Sequence, residues 1–122
     1  MATIEAVSPF APARFPDLPA VRGVRLAATA AGVRYQGRDD VMLAEIAPGA
    51  ALAGVFTRSK TRAAPVLLCE DRLAARRARA APDGPAAVLV NSGNANAFTG
   101  ASGRDGAERM AAAAARAVGG DP

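Results

Sequence analysis

The chain lacks histidine and tryptophan, and it holds one cysteine, one tyrosine and one lysine, Lys60. Without histidine, the commonest general base and the commonest metal ligand are both missing. Cys69 stands alone, so no disulfide forms within the chain, and no histidine is present to activate it as a nucleophile. It lies beside the apolar run from Pro65 to Leu68, where a buried structural thiol is expected. The adjacent carboxylates Asp39-Asp40 and Glu70-Asp71 point their side chains apart, so neither pair has metal-site spacing, and no metal site is expected. Aromatic residues make up 4% of the chain and do not interleave with basic ones, an arrangement that argues against nucleic-acid binding. No apolar run approaches the ~20 residues needed to cross a bilayer. Arg14 and Pro16 interrupt the N-terminal region, which carries no hydrophobic segment of signal-peptide length. A cytoplasmic location is the default expectation.

What remains is apolar but light. The chain has 122 residues, enough for one domain, and 51% of them are hydrophobic. Much of that is alanine, which buries little area per residue. Such a core has unusual need of a partner surface or of more chain. The net charge of +4 comes almost wholly from arginine. Arg72, Arg76 and Arg79 recur at helical spacing, the mark of a solvated face.

Prolines 9, 12, 16 and 19 exclude helix from residues 1–19, which read as an extended arm. Phe10 and Phe15 predict that this arm docks on the domain formed by residues 20–122. The pattern over 21–35 predicts two short strands turning at Ala30-Ala31-Gly32. Residues 41–46 and 51–57 predict a second hairpin through Pro48-Gly49, with Thr57 and Arg58 at a strand end. Over 41–46 both alternating faces are largely apolar, as in a strand covered on both sides.

Pro65 suits a helix's first turn, and Val66, Cys69 and Leu73 follow at helical spacing. That helix is predicted to run on to Ala81 and stop at Pro82-Asp83-Gly84. Residues 86–90 read as a buried strand. Capping-box spacings from Ser102 and from Asp105 offer two starts for a last helix. Ala107, Met110, Ala111, Ala114 and Val118 would line its inner face, and Gly119-Gly120 would end it. Hairpins followed by segregated helices indicate an α+β fold.

The strand over 86–90 runs straight into Asn91-Ser92-Gly93-Asn94-Ala95-Asn96-Ala97-Phe98-Thr99-Gly100. Asn and Gly tolerate left-handed backbone angles, and Asn side chains anchor turns. Two readings stay open on the residues alone: a simple turn before a helix, or a loop that builds a site at a strand's end.

In its order of residues this run resembles the signature of the ornithine acetyltransferase family, the bifunctional glutamate N-acetyltransferases. Further segments resemble the same family in the same order. They are Ser8-Pro9-Phe10-Ala11-Pro12 with Phe15-Pro16, Gly23-Val24-Arg25-Leu26-Ala27 with Gly32-Val33-Arg34-Tyr35, Ala53-Gly54-Val55-Phe56-Thr57-Arg58, and Ala63-Ala64-Pro65-Val66-Leu67-Leu68-Cys69. The resemblance covers nearly all of the chain, from about residue 8 to about residue 118.

The resemblance implies a layered sheet-and-helix fold of the N-terminal-nucleophile-like type, present here in part. It implies acetyl transfer from N-acetylornithine, or from acetyl-CoA as donor substrate, to glutamate, through an acyl-enzyme and with no bound cofactor. It also implies a precursor that cuts itself before an internal threonine, giving a hetero-oligomer of two chain types. That threonine's own α-amino group serves as base, which agrees with a chain without histidine. In the family, a Ser-Thr-Gly segment supplies the oxyanion hole and an Ala-Thr junction is the cleavage site; both are expected beyond Pro122. Thr29, Thr57, Thr61 and Thr99 lie in other contexts, so no catalytic or binding residue is carried over. Asn91, Ser92, Gly93, Asn94 and Asn96 are the candidates for a supporting role, fixing loop geometry rather than touching substrate. The chain alone is expected to be inactive and to pair with the remainder of the acetyltransferase. A non-catalytic domain that binds a partner chain, and a related N-terminal-nucleophile hydrolase, are the alternative readings.

Overall fold

A computed structural model of the chain describes residues 7–79, 84–93 and 95–120. Strand β1 (Val24–Thr29) and strand β2 (Val41–Ile46) precede helix α1 (Ala64–Arg77). Strand β3 (Ala86–Asn91) and helix α2 (Gly100–Ala117) follow. The strands form one antiparallel sheet in the order β1-β2-β3. Val24 pairs with Ile46 and Thr29 with Val41, while Val41 also pairs with Asn91 and Ile46 with Ala86. This is the small α+β architecture that the strand and helix patterns indicate.

The register puts two chemically different faces on the sheet. Cross-strand partners share a face and alternate residues change face. One face carries Val24, Leu26 and Ala28 from β1, Met42, Ala44 and Ile46 from β2, and Ala86, Val88 and Val90 from β3. Every one of these is apolar. Leu26 is nevertheless 72% exposed, and Val88 and Val90 are 42% and 47% exposed. The opposite face carries Leu43 and Leu89, and it is the side on which α2 packs against β3 and α1 packs against α2. All six residues of β2 are half-buried, with no difference between its two faces, so the expectation that β2 is covered on both sides is not met.

The core between sheet and helices is thin. Its buried apolar members are Leu68, Leu73, Ala107 and Ala114. Small residues let the helices approach: Gly103, Ala107 and Ala114 form the buried stripe of α2. Leu73 reaches across to Gly54 and Phe56, where a β-carbon on Gly54 would sit 3.2 Å from the leucine methyl. The molecule exposes 9337 Å², whereas a compact monomer of its mass exposes about 6,100 Å².

Several local expectations fail for identifiable reasons. The predicted hairpin over 21–35 does not form; its first half is β1, which pairs with the distant β2, and residues 30–40 are a loop. Residues 51–57 form no strand, so the outer edge of β1 and that of β3 both stay open. Phe10 and Phe15 do not dock, being 94% and 78% exposed. Cys69 is exposed, not buried: the helix turns Leu68 and Leu73 inward, which carries the intervening thiol outward. Helix α1 ends at Arg77, and the proposed stop at Pro82 and Asp83 lies outside the described residues. Helix α2 starts earlier than either capping box, after Thr99, with no side-chain cap. Its other end is as expected. Gly119 takes φ +71°, its N–H donates to the Arg116 carbonyl at 3.2 Å, and the Gly120 N–H donates to the Ala115 carbonyl at 2.9 Å. This paired closure is the Schellman motif.

The apolar sheet face spans roughly 300 Å² by strand spacing and rise, a contiguous patch of the size that is often functional. The isolated chain is therefore expected to self-associate at micromolar concentration in light scattering. Leu26→Lys with Val88→Lys, which charges the face along one cross-strand line, should shift the population towards monomer. A parent chain that is a monodisperse monomer with a sharp thermal transition would contradict this.

Candidate functional site

The end of β3 and the start of α2 are joined by the asparagine-rich loop, whose backbone is unusually strained. Gly93, Asn96, Phe98 and Gly100 have φ of +97°, +49°, +56° and +59°. For glycine these angles are free, and asparagine tolerates them. For a phenylalanine they are a true outlier costing on the order of 1–3 kcal/mol. Phe98 offsets none of this by burial, since it is 88% exposed. A left-handed aromatic held out into solvent marks a loop shaped for something other than its own stability.

Asn96 supports that shape. Its Nδ2 donates to the Gly103 carbonyl at 2.8 Å, and its Oδ1 accepts from Thr99 Oγ1 at 2.7 Å. The carboxamide thus spans the first turn of α2, using both its donor and its acceptor side. A side chain on Gly103 would collide with Thr99 Oγ1 and Asn96 Oδ1, so the glycine is required where it stands. Asn91 lies at the end of β3 opposite Val41. Asn91 and Asn96 then meet in a cleft of about 510 Å³ that also takes in Val33, Gly103 and Arg109. Asn94, a further candidate in this loop, lies outside the described residues.

Ser92 and Gly93 belong to the same place but face differently. The Ser92 N–H donates to the Asp40 carbonyl at 2.8 Å, extending the β2–β3 ladder by one rung. Its hydroxyl oxygen is sealed from solvent and has no hydrogen-bond partner among the described residues. Gly93 presses on the loop between β1 and β2. A β-carbon there would lie 2.5 Å from Arg34 Cβ and 3.1 Å from Tyr35. Tyr35 is in turn covered by the Arg38 guanidinium at 4.3 Å from the ring centre.

Beneath this junction is the one buried charged residue among those described, Asp40, at 4% exposure. Its Oδ1 accepts from the Ala31 N–H at 2.7 Å and its Oδ2 from the Val33 N–H at 2.6 Å. Burial pushes the carboxyl up, but backbone N–H groups of Ala31, Val33, Arg34 and Gly32 outweigh that and hold it below its ordinary 3.8. The sequence shows only an adjacent Asp39-Asp40 pair; which of the two turns inward is decided by the β2 register, a long-range fact.

A second cleft, of about 380 Å³, lies where the first turns of both helices meet, beside Lys60, Arg62, Phe98 and Arg104. Its arginines are engaged within the protein: Arg62 with Glu70, Arg104 with Glu108 at 3.1 Å and with Asp71 at 3.6 Å. The hydroxyls of Ser59, Thr61, Thr99 and Ser102 bond to one another, to Asn96 or to backbone. None of these contacts pairs a nucleophile with a base. Thr57 and Arg58 are exposed, and Thr57 Oγ1 accepts the Ser59 N–H. Among the described residues no helix is long and apolar enough to cross a membrane.

The family model described as the ArgJ family matches residues 25–122. Curated relatives named arginine biosynthesis bifunctional protein ArgJ match nearly the whole chain. That of Ruegeria pomeroyi is 58% identical over 98% of this chain, and that of Agrobacterium fabrum is 52% identical over 93%. That of Bradyrhizobium diazoefficiens is 51% identical over 93%. The chain spans 28%, 26% and 26% of the length of these relatives.

Two outcomes follow from the geometry. Gly93→Ala forces a β-carbon into Arg34 at a left-handed angle, and should destabilise the chain by about 2–3 kcal/mol in urea unfolding; a variant as stable as the parent would contradict the contact. The Asp40 carboxyl holds fewer protons folded than unfolded, so its contribution is complete above pH 3.8 and is lost as pH falls below that value. Asp40→Asn should abolish that acid-side component of the stability–pH profile. An unchanged profile below pH 4 would show that Asp40 does not titrate with folding.

Proposed function

Because the chain belongs to the ArgJ family, we propose that it is the N-terminal part of an acetyltransferase of arginine biosynthesis. The intact enzyme would move an acetyl group from N-acetylornithine, or from acetyl-CoA in a bifunctional member, to glutamate. The observation that carries this reading is the 58% identity over 98% of the chain, to a relative of which the chain spans 28%. Residues 20–122 contribute the sheet, the two helices and the asparagine loop, and residues 1–19 an arm. Nucleophile and oxyanion donors come from the rest of the enzyme.

In this reading the asparagine loop does not touch the acetyl group. Asn96 locks the first turn of α2, Gly93 fixes the loop against Tyr35, and Asn91 closes the strand end. Together they form a rigid wall for the neighbouring catalytic segment, as positioned chemistry requires. The apolar sheet face takes a layer from the remainder of the enzyme, in an assembly of two chain types. The same face also favours a second reading: a family-fold domain that binds a partner chain without contributing to catalysis.

The purified chain mixed with N-acetylornithine and glutamate is expected to give no turnover. Turnover on the order of 1 s⁻¹, an ordinary enzymatic rate, would place the nucleophile within these residues and overturn the assignment. The readings separate in a chimera in which this chain replaces the matching segment of the Ruegeria pomeroyi protein. The acetyltransferase reading expects acetyl transfer within tenfold of the parent protein. A folded chimera without activity favours the non-catalytic reading.

A further inference from the structure

Asp40 sits where three segments meet, and none of its polar groups is idle. Its N–H donates to the Thr29 carbonyl at 3.1 Å, holding the end of β1. Its carbonyl accepts from the Ser92 N–H at 2.8 Å, holding the first residue of the asparagine loop after β3. Its two carboxylate oxygens are given to different N–H groups of one turn, Ala31 and Val33. That turn leads into Arg34 and Tyr35, on which Gly93 rests, and Val33 itself borders the cleft that holds Asn91 and Asn96. A displacement of the turn therefore reaches the asparagine loop by two routes: the rung at Ser92 and the contact under Gly93.

We propose that Asp40 is a positioning residue for acetyl transfer: it clamps the 30–34 turn and the start of the asparagine loop into one unit, so that the loop's placement depends on a group outside it. The clamp itself is a claim about this chain; its consequence for transfer rests on the acetyltransferase reading. A carboxylate is the group that the site requires. Both of its oxygens accept, and charge-assisted bonds to backbone N–H are short and strong. An asparagine of the same shape turns an N–H₂ towards one of the two amides and must leave it unpaired. The neighbouring Asp39 is exposed, so Asp39→Asn removes the same charge without touching the clamp.

Hydrogen–deuterium exchange on the 122-residue chain tests the clamp. Asp40→Asn is expected to speed exchange at least tenfold in segments 30–35 and 90–93, and to leave the middle of α1 within twofold of the parent. Asp39→Asn should match the parent throughout. Asp40→Glu keeps the charge but moves it by one methylene, and should give a weaker form of the same pattern. Unchanged exchange at 90–93, or a uniform acceleration that includes α1, would overturn the clamp. In the chimera with the Ruegeria pomeroyi protein, Asp40→Asn should lower kcat at least tenfold with KM within twofold. An unchanged kcat beside loosened 90–93 segments overturns the positioning role alone. A parent chimera that folds yet transfers nothing overturns the acetyltransferase reading and leaves the clamp to be judged by exchange.

Discussion

The constraint on which the rest depends is a sheet whose wholly apolar face has no helix packed on it. Helix α2 packs against β3 on the side of Leu89 and α1 packs against α2, leaving Leu26, Val88 and Val90 exposed on the other side. The exposed residues of that face, with those outside the sheet such as Phe10, Phe15 and Leu18, go with a short roster of buried apolar side chains and an alanine-rich composition that does not close a core alone. A domain this size buries a smaller share of its surface than a larger one even when complete. Here part of the deficit falls on one particular face of the sheet, that of Leu26, Val88 and Val90.

Against that unfinished face, the other end of the sheet is closely determined. Around the β3–α2 junction Asp40 bonds to the 30–34 turn and to Ser92, Gly93 packs on Arg34 and Tyr35, and Asn96 bonds to Thr99 and Gly103. The chain places its order where the loop must keep a strained path, and leaves Phe98 projecting from it. Strain of this kind persists only where surrounding contacts over-determine it. Under the proposed function such a loop is worth holding, since positioned chemistry is sensitive to small displacements of the groups that frame it.

Much of this was legible in the residues. Apolar runs located β2 and β3, Pro65 located the start of α1, and the paired glycines 119 and 120 located the end of α2, because each is a local signal with a local cause. The strands expected over 33–35 and 51–57 were not formed, since β1 takes the distant β2 as its ladder partner. Cys69 was misplaced because Val66, Cys69 and Leu73 share a helical spacing while packing selects Leu68 and Leu73. The candidate site was partly visible: Asn91, Ser92, Gly93 and Asn96 gather at one junction, and family resemblance named that run. Asp40 was invisible for a physical reason. Its role comes from burial and from contacts with residues that the fold, not the sequence, brings near.

The central claim is that the open sheet face belongs against the remainder of an ArgJ-type acetyltransferase. The most direct measurement is light scattering with size exclusion on this chain mixed with the separately purified remainder of the Ruegeria pomeroyi protein, the part outside the matched segment. The account predicts a defined complex of the two that Leu26→Lys with Val88→Lys abolishes. Two species that elute apart, or a complex indifferent to those substitutions, would contradict it.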